Sequence, residues 1–535
     1  METTVLKVCI EGQSITLRLP FGVNVRQGLD STELRVRAAC GGLGTCGACL
    51  IRVISGDFNP PTLAERQKIL PDDLDNGVRL ACQLRPSSDA AELYLDYPAP
   101  RSQWKSLSLP SAFRPRFGNT LLNNHVYGVA VDLGTTHIRL SVWNRQSARC
   151  IATRYSINPQ VAHGADILTR LDADRLNQQD SQTICQEARH AIIDGVRDIL
   201  TRDMGEVTPI LNDIGKVLIV GNTAMLTLIC GDTGDRLYEL ENWQRPIACH
   251  VNDVDAWRRD WRMPNAEIKI EQPLAGFVGS DLLADLIATS FTELTPPTLL
   301  VDFGTNTEIA LWDGNLIWVT SVPGGPAFEG VGMRNGLTAE TGAICKVTKL
   351  EEDWCLHTLG ETPARGFCAS GFVDAVALLL ECNQLKPSGR FVQAMSAHHL
   401  DQNNPYSAIF ASDIDVFQRA KASSAAAMMQ LFSFAGLSAE DLQTLWICGS
   451  FGQYLDFNNA IRVGLLPAID FSRVKLLANA SLAGCEKMLV AQDADALTST
   501  IRNKVKVVNL GGVPEYEDKF IEHLRLQPIL LQEAR

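Results

Sequence analysis

Three cysteines crowd into AACGGLGTCGACLIRV, residues 38–53. Cys40, Cys46 and Cys49 leave five and then two residues between them. Gly41, Gly42 and Gly44 let the backbone turn tightly around whatever the sulfurs hold. Soft thiolate sulfur matches iron and neutralises part of its charge, and four thiolates make a [2Fe-2S] site. Cys82 in RLACQL is the fourth candidate, on a strand expected to return to the loop. The rival chemistries are a four-cysteine zinc site, more often built from two separated C-x-x-C knuckles, and a redox-active Cys46/Cys49 pair. The remaining cysteines lack clustered spacing and sit mostly among apolar residues, as small buried hydrophobes do.

The plant-type ferredoxin pattern leaves four residues between its first two cysteines, whereas this chain leaves five. The longer spacing resembles the adrenodoxin-like branch of the ferredoxin fold.

A second chemistry is written in two turns. In VDLGTTH an apolar strand delivers Asp132 to a turn at Gly134, Thr135 and Thr136, whose N–H groups and hydroxyls can surround an anion. The carboxylate then meets phosphate through a divalent metal or its water shell. VDFGTNTE repeats the arrangement with Asp302, Gly304, Thr305 and Asn306. A single Asp-x-Gly turn is ordinary hairpin punctuation. The pair resembles the two phosphate motifs of the ASKHA superfamily (actin, the Hsp70 ATPase domain, sugar kinases), in which ATP lies between two ribonuclease-H-like halves. LWICGSFGQYL supplies Gly449, Ser450 and Gly452 where that superfamily has a glycine-rich adenosine motif. In LIVGNTAML, Asn222 and Thr223 are placed to reach a phosphate or orient water. VPGGPAFEGVGM offers Gly324 and Gly325 for close approach to nucleotide, and Glu329 for ribose or a partner. Asp281 in FVGSD reads as a structural N-cap. Asp132, Asp302 and Asn222 are thus the expected catalytic residues, with ATP and Mg2+ as the ligands.

The elements that must carry these residues follow from the pattern. TVLKVCI and SITLRL read as a hairpin over residues 4–19, followed by a short helix at VRQGLDST. After the cysteine loop come a strand, CLIRVISG, and a helix opened by Thr62, which has capping-box spacing to Glu65. VRLACQLRP and AELYLDY close a mixed domain over 1–97. Proline, serine and arginine dominate the next stretch, read as a linker over 98–125. From 126 to 535 long apolar strands alternate with helices. Asp302 follows Asp132 by 170 positions, which implies two similar subdomains, the second beginning near 298. DVFQRAKASSAAAMMQLFSFAG is a helix ended by Gly436 that feeds the strand TLWICGSFG.

With 535 residues the chain exceeds one core. A net charge of −13 argues against nucleic acid, which needs a basic footprint. The start METTVLKVCIEG has neither the basic flank nor the apolar core of a signal peptide, and no apolar run is long enough to span a bilayer. A cytoplasmic protein is expected, with its fifteen cysteines not in disulfides.

Across nearly its whole length the chain resembles the reductive activators of corrinoid proteins, on CGGLGTCGAC, VAVDLGTT, NPQVAHGADILTRL, GNTAML, FVGSD, VDFGTNTEIAL, GPAFEG, FCASGFVDAVA, FQRAKA, GSFGQYLDFNNA and GLLP. That resemblance implies a fold of mixed α/β and α+β domains: an N-terminal ferredoxin-like β-grasp domain, then two ASKHA subdomains. It implies an ATP-hydrolysing activase that passes one electron from the [2Fe-2S] cluster to a Co(II) corrinoid protein and regenerates Co(I). It further implies a corrinoid protein or corrinoid-dependent methyltransferase as partner, a flavoprotein or ferredoxin as donor, and a homodimer. Longer members insert further domains before the ATPase, where this chain has about thirty residues. Two other readings stand beside it: an ATP-dependent electron activator of a radical enzyme, and a nucleotide-binding redox sensor without turnover.

Overall fold

The computed structural model describes residues 3–529 apart from 11–12, 31, 33, 35, 37–43, 45–48, 96–103, 108–124, 164–166, 177, 206, 233, 329, 331, 351–352 and 450. Its first sheet contains β1 (Thr3–Ile10), β2 (Gln13–Pro20), β3 (Leu50–Ser55), β4 (Val78–Leu80) and β5 (Ala90–Tyr94), in the order β2-β1-β5-β3-β4. Strict alternation along TTVLKVCI turns Thr4, Leu6 and Val8 inward. The expected hairpin forms as the antiparallel pair β1–β2. The helix Val25–Asp30 closes the core with Val25 and Leu29. The helix Leu63–Lys68 opens with the expected capping box, and its Glu65 is fully buried on Arg79 at 2.8 Å.

One expectation in this sheet is corrected. VRLACQLRP is not a continuous strand, because β4 ends at Leu80 and Ala81–Gln83 form a turn. The Leu80 carbonyl accepts from the Gln83 and Leu84 N–H groups at 2.8 and 3.0 Å, which curls the chain away from the ladder. Cys82 therefore projects from a turn.

Two larger sheets follow the same plan. The first contains β6 (Lys105–Ser106), β7 (Tyr127–Leu133), β8 (His137–Asn144), β9 (Arg149–Ile157), β10 (Ile214–Gly221) and β11 (Glu267–Ile270), ordered β11-β10-β7-β8-β9-β6. The second begins with β12 (Thr298–Phe303), β13 (Asn306–Trp312) and β14 (Ile317–Pro323). Next come β15 (Ala343–Leu350), β16 (Asp353–Thr358) and β17 (Gly366–Phe367) as a separate three-stranded sheet, and β18 (Ala397–His399) with β19 (Ala408–Phe410) as a ribbon. β20 (Thr444–Cys448), β21 (Val474–Leu477) and β22 (Val505–Val507) complete the order β21-β20-β12-β13-β14-β22. In both sheets an antiparallel meander of three strands is extended by two parallel strands on the side of its first strand. The strand–turn–strand repeat seen in sequence is thus the leading hairpin of each sheet.

Helices Ser280–Ala288 and Ala480–Val490 lie in one core with residues of both sheets, including Ala130, Val220, Leu300 and Val319. They cross so closely that a Cβ on Gly484 would stand 1.9 Å from the Ala284 carbonyl oxygen. The long helix Ala411–Ala435 ends at Gly436 in the left-handed conformation, as its sequence implies.

Part of the expected linker is built into the fold. Trp104 is buried in the first large core and β6 pairs antiparallel with β9. An indole that leaves water in this way fixes its segment. Between Leu95, still bonded to the Cys9 carbonyl, and Trp104 only residues 96–103 intervene. Among the described residues no helix is long and apolar enough to cross a membrane.

Candidate functional site

Cys49 immediately precedes β3 and Cys82 sits in the turn after β4, so the β3–β4 pairing brings both to one end of the first sheet. The Cys49 carbonyl accepts the Ala81 N–H at 2.8 Å, and both cysteines are 2% exposed. Their thiols interact, and the side-chain hydrogen bond with Cys82, which favours the neutral Cys49 thiol, together with burial pushes that thiol well above the ordinary range. Two buried thiolates cannot stand together without a cation, which is the condition a metal relieves. Gln83 Nε2 lies 3.6 Å from Cys82 Sγ as a donor to sulfur. Gly44 is left-handed and packed so closely that a Cβ would meet Ala64 at 2.9 Å. These residues fit a thiolate-held iron-sulfur centre. Cys40 and Cys46 lie outside the described residues.

The second site forms where the two large sheets bring their strand ends together. Asp132 on β7 is cross-strand partner to Arg139 on β8, whose Nη1 donates to Asp132 Oδ2 at 3.2 Å. Burial raises the Asp132 carboxyl and Arg139 opposes that rise. After it, the Gly134 N–H donates to the His137 carbonyl at 3.0 Å, and a Cβ on Gly134 would stand 2.7 Å from that oxygen. The second half repeats the turn, with the Gly304 N–H donating to the Asn306 carbonyl at 3.0 Å. Thr136 and Thr305, one from each turn, meet with hydroxyl oxygens 3.1 Å apart.

The repeat extends to the neighbouring parallel strands. Gly221 ends β10 beside Leu133, and its Cβ would lie 2.5 Å from the Leu133 carbonyl oxygen. Gly449 follows β20 in the same relation, with a Cβ 2.6 Å from the Phe303 carbonyl oxygen and 2.7 Å from Asp302 Oδ1. GNTAML and CGSFG are therefore equivalent positions of the two halves.

Carboxylates converge here that the sequence did not mark. Asp302 on β12 faces Glu308 on β13 in register. Asp281 and Asp285 are one helical turn apart on Ser280–Ala288. Asp281 is not the N-cap expected of it: Gly279 is, and Asp281 stands in the first turn, where its carboxylate accepts the Leu282 N–H at 2.9 Å. Burial first, then Asp132 and Asp302, push Asp281 up to about 7. Burial, with a contribution from Asp132, pushes Asp302 up to about 6, against a hydrogen bond from Asp285. Asp285 and Glu308 lie well above the usual carboxylate range, raised by burial and by their acidic neighbours. Among the described residues no three such groups close on a point tightly enough to hold a bare ion. A hydrated cation carried in by phosphate oxygens suits this geometry.

Other expected residues are placed as follows. Asn222 is the N-cap of the helix Thr223–Cys230, and its carboxamide oxygen accepts the Ala224 N–H at 3.0 Å. Thr223 is corrected: it is fully buried and its hydroxyl donates to the Ala275 carbonyl at 2.9 Å, so it holds the fold and does not face a ligand. Thr135 and Thr305 are 5% and 8% exposed in their turns, and Asn306 opens β13. Gly324 precedes the short helix that starts at Gly325, and it approaches the helix Ala411–Ala435 at the Ala420 carbonyl. Gly452 packs on Ile447 of β20. Glu329 and Ser450 lie outside the described residues.

Three family models tile the chain. A 2Fe-2S iron-sulfur cluster binding domain matches residues 8–87, the RACo middle region 127–294, and the C-terminal domain of RACo, the ASKHA domain, 296–532. The chain belongs to the RACo family. Its relatives include the corrinoid activation enzyme RamQ of Eubacterium limosum, 27% identical over 424 residues that cover 74% of this chain and 70% of that protein. The [Co(II) methylated amine-specific corrinoid protein] reductase of Methanosarcina barkeri is 25% identical over 406 residues, 68% of this chain and 70% of that protein. Among solved structures, a reductive activator for corrinoid, iron-sulfur protein superposes with a TM-score of 0.64 over 98% of both chains at 22% identity, which shows that the fold is shared.

Proposed function

We propose that this chain is an ATP-dependent activator that passes one electron to a Co(II) corrinoid protein and so restores Co(I). The observation that carries the proposal is the meeting of two equivalent phosphate turns at Thr136 and Thr305, in a chain whose cysteine-bearing domain is docked on the same body. When bound at Cys40, Cys46, Cys49 and Cys82, a [2Fe-2S] cluster supplies the electron, one at a time.

The residues of the chain divide the remaining work. The turns at Gly134–Thr136 and Gly304–Asn306 hold the phosphates from two sides through their hydroxyls and the N–H groups beyond the glycines, since the Gly134 and Gly304 N–H groups are spent within the turns. Asp132 and Asp302 orient a hydrated Mg2+ on those phosphates, and Arg139 aims Asp132 and favours its ionised form against the effect of burial. Asn222, fixed as a helix cap, stands at the strand end from which a water can be positioned. Gly324, Gly325, Gly449 and Gly452 are the residues of the second half assigned to the nucleotide, with Glu329 and Ser450 assigned to it by sequence alone.

Nucleotide between the halves favours their closed arrangement only as far as it binds that arrangement more tightly. If closure binds the Co(II) state of the partner differently from Co(I), its free energy moves the cobalt couple. For one electron each ~59 mV so gained is a factor of ten, or about 1.4 kcal/mol. A flavoprotein or ferredoxin would reload the cluster, and the protein would act as a homodimer in the cytoplasm.

Anaerobic visible spectroscopy tests this reading. A Co(II) corrinoid protein, this chain with a full cluster, and a low-potential donor should give a Co(I) band with Mg-ATP and none without it. Equal reduction without nucleotide would overturn it.

A further inference from the structure

The cysteine-bearing domain is held to the first large sheet by a buried ionic chain that no step above uses. Arg26 of the helix Val25–Asp30 bonds Asp203 Oδ1 through Nη2, and Asp203 Oδ2 is bonded by Arg154 Nη2 of β9. Arg154 Nε reaches Asp198 at 2.7 Å, and Arg202 Nε bonds the other oxygen of Asp198 at 2.8 Å. Arg26, Arg154, Arg202 and Asp203 are 7%, 2%, 4% and 2% exposed. Asp203 lies in a π-helical turn, Leu200–Met204, that continues the helix Gln178–Ile199 and stops at left-handed Gly205. Such widened turns are uncommon and often mark functional positions.

Arg26 is equally tied to the cysteine site. Its own N–H donates to the Ala81 carbonyl at 3.0 Å, while the Ala81 N–H donates to the Cys49 carbonyl. The Val25 N–H donates to the Leu84 carbonyl at 2.9 Å, so the first turn of this helix is stapled to the turn that bears Cys82. A second ion pair between the two parts, Arg18–Glu361 at 3.2 Å, is exposed at both ends and adds little.

We propose that Arg26 is the residue through which the nucleotide-binding body sets the reduction potential of the cluster: docking places Asp203, clamped by Arg154, against the guanidinium of a residue whose own backbone is bonded to Ala81, between the Cys49 strand and Cys82. This rests on the cluster assignment made above. A positive charge near the cysteine ligands stabilises the more negative, reduced cluster and raises its potential. A carboxylate on that same cation offsets the effect, since a low-dielectric interior screens neither. The docked domain is therefore the stronger reductant, and movement of Arg26 away from Asp203 weakens it.

The test is an electron paramagnetic resonance redox titration of the full chain with its cluster, without ATP or corrinoid protein. Its failure is thus separate from a failure of the activation reading. Asp203→Ala should favour the reduced cluster about threefold to tenfold at fixed ambient potential, the upper figure being ~59 mV. Arg26→Gln should leave the midpoint at or below that of the parent. Hydrogen exchange over 200–204 should quicken in both single variants. If Asp203→Ala does not fold, Arg26→Gln alone decides: a midpoint above the parent's overturns the proposal. An unchanged midpoint in Asp203→Ala overturns it as well.

Discussion

Asp302 and Glu308 face each other across the β12–β13 ladder, two carboxylates in one cross-strand pair, where the equivalent pair of the other half is Asp132 and Arg139. Opposite charges across a ladder support it and like charges weaken it. The first half is therefore electrostatically complete by itself. The second is not, and Asp281 and Asp285 add to its excess of acid. Fold stability has been given up at the place where a cation and phosphates are expected to arrive.

Stability of the nucleotide-free protein should accordingly fall as pH rises. Asp302 and Asp281 have folded values raised to about 6 and about 7, above the ordinary carboxylate value. The native state then binds more protons than the unfolded chain between about pH 4 and pH 7, so the stabilisation is full below that window and lost through it. Thermal unfolding should show a midpoint several degrees lower at pH 7.5 than at pH 5.5. Mg2+ with a non-hydrolysable nucleotide should close the gap, and Glu308→Gln should narrow it without nucleotide. A midpoint independent of pH in both states would remove the carboxylates from consideration.

The contact between Thr136 and Thr305 joins the halves through groups that are expected to hold phosphate. Thr136→Val and Thr305→Val keep shape and remove a hydroxyl. Each should slow ATP hydrolysis by about a hundredfold to a thousandfold, the range for loss of a preorganised donor, with thermal midpoints within a few degrees of the parent. Residues that act as a unit do not add, so the double variant should be little worse than either single one. Strict multiplication of the two losses would show that the turns act independently.

Much of this was legible before any coordinates, because it is written in local pattern. The hairpin over β1 and β2, the Thr62–Glu65 capping box and the Gly436 helix stop each depend on neighbours a few residues apart. The repeated Asp-x-Gly turns were legible as a pair. What escaped depends on distant packing. Glu308 looks like one polar position in an apolar strand until register sets it opposite Asp302. Arg139 is tied to Asp132 by the same kind of register. Thr223 has the residue type of a phosphate ligand, and only the Ala275 carbonyl shows where its hydroxyl goes. Trp104, in a stretch with linker composition, is claimed by a core built from residues that follow it. Cys82 was found as a ligand candidate by spacing, while the turn that carries it was hidden by an apolar run that reads as strand.

Replacing Cys82 separates the two chemistries. Cys82→Ser should abolish the visible absorption of the cluster in anaerobically reconstituted protein, while nucleotide binding, carried by the other two sheets, stays within about threefold of the parent. Cys9→Ser is the matched control, since Cys9 hydrogen-bonds Glu92 at 3.2 Å on β5 and should leave the spectrum unchanged. Retention of a normal spectrum in Cys82→Ser would exclude it as a ligand.

Gly449 and Gly436 provide a comparison in which backbone conformation is held nearly constant. Both are left-handed, with φ of +82° and +66°. A Cβ at Gly436 meets nothing within 4 Å, so Gly436→Ala carries only the conformational cost, about 1–2 kcal/mol. The same methyl at Gly449 adds contacts of 2.6 Å to the Phe303 carbonyl oxygen and 2.7 Å to Asp302 Oδ1. Neither atom can yield without moving β12 or turning the Asp302 carboxylate. Gly449→Ala should therefore lower the thermal midpoint more than Gly436→Ala does and weaken nucleotide binding at least tenfold. Gly436→Ala should bind nucleotide normally. Calorimetric titration with Mg-nucleotide, run on both after their midpoints are measured, separates loss of fold from loss of site. Normal binding by Gly449→Ala would mean that Asp302 need not hold its present position to serve the nucleotide.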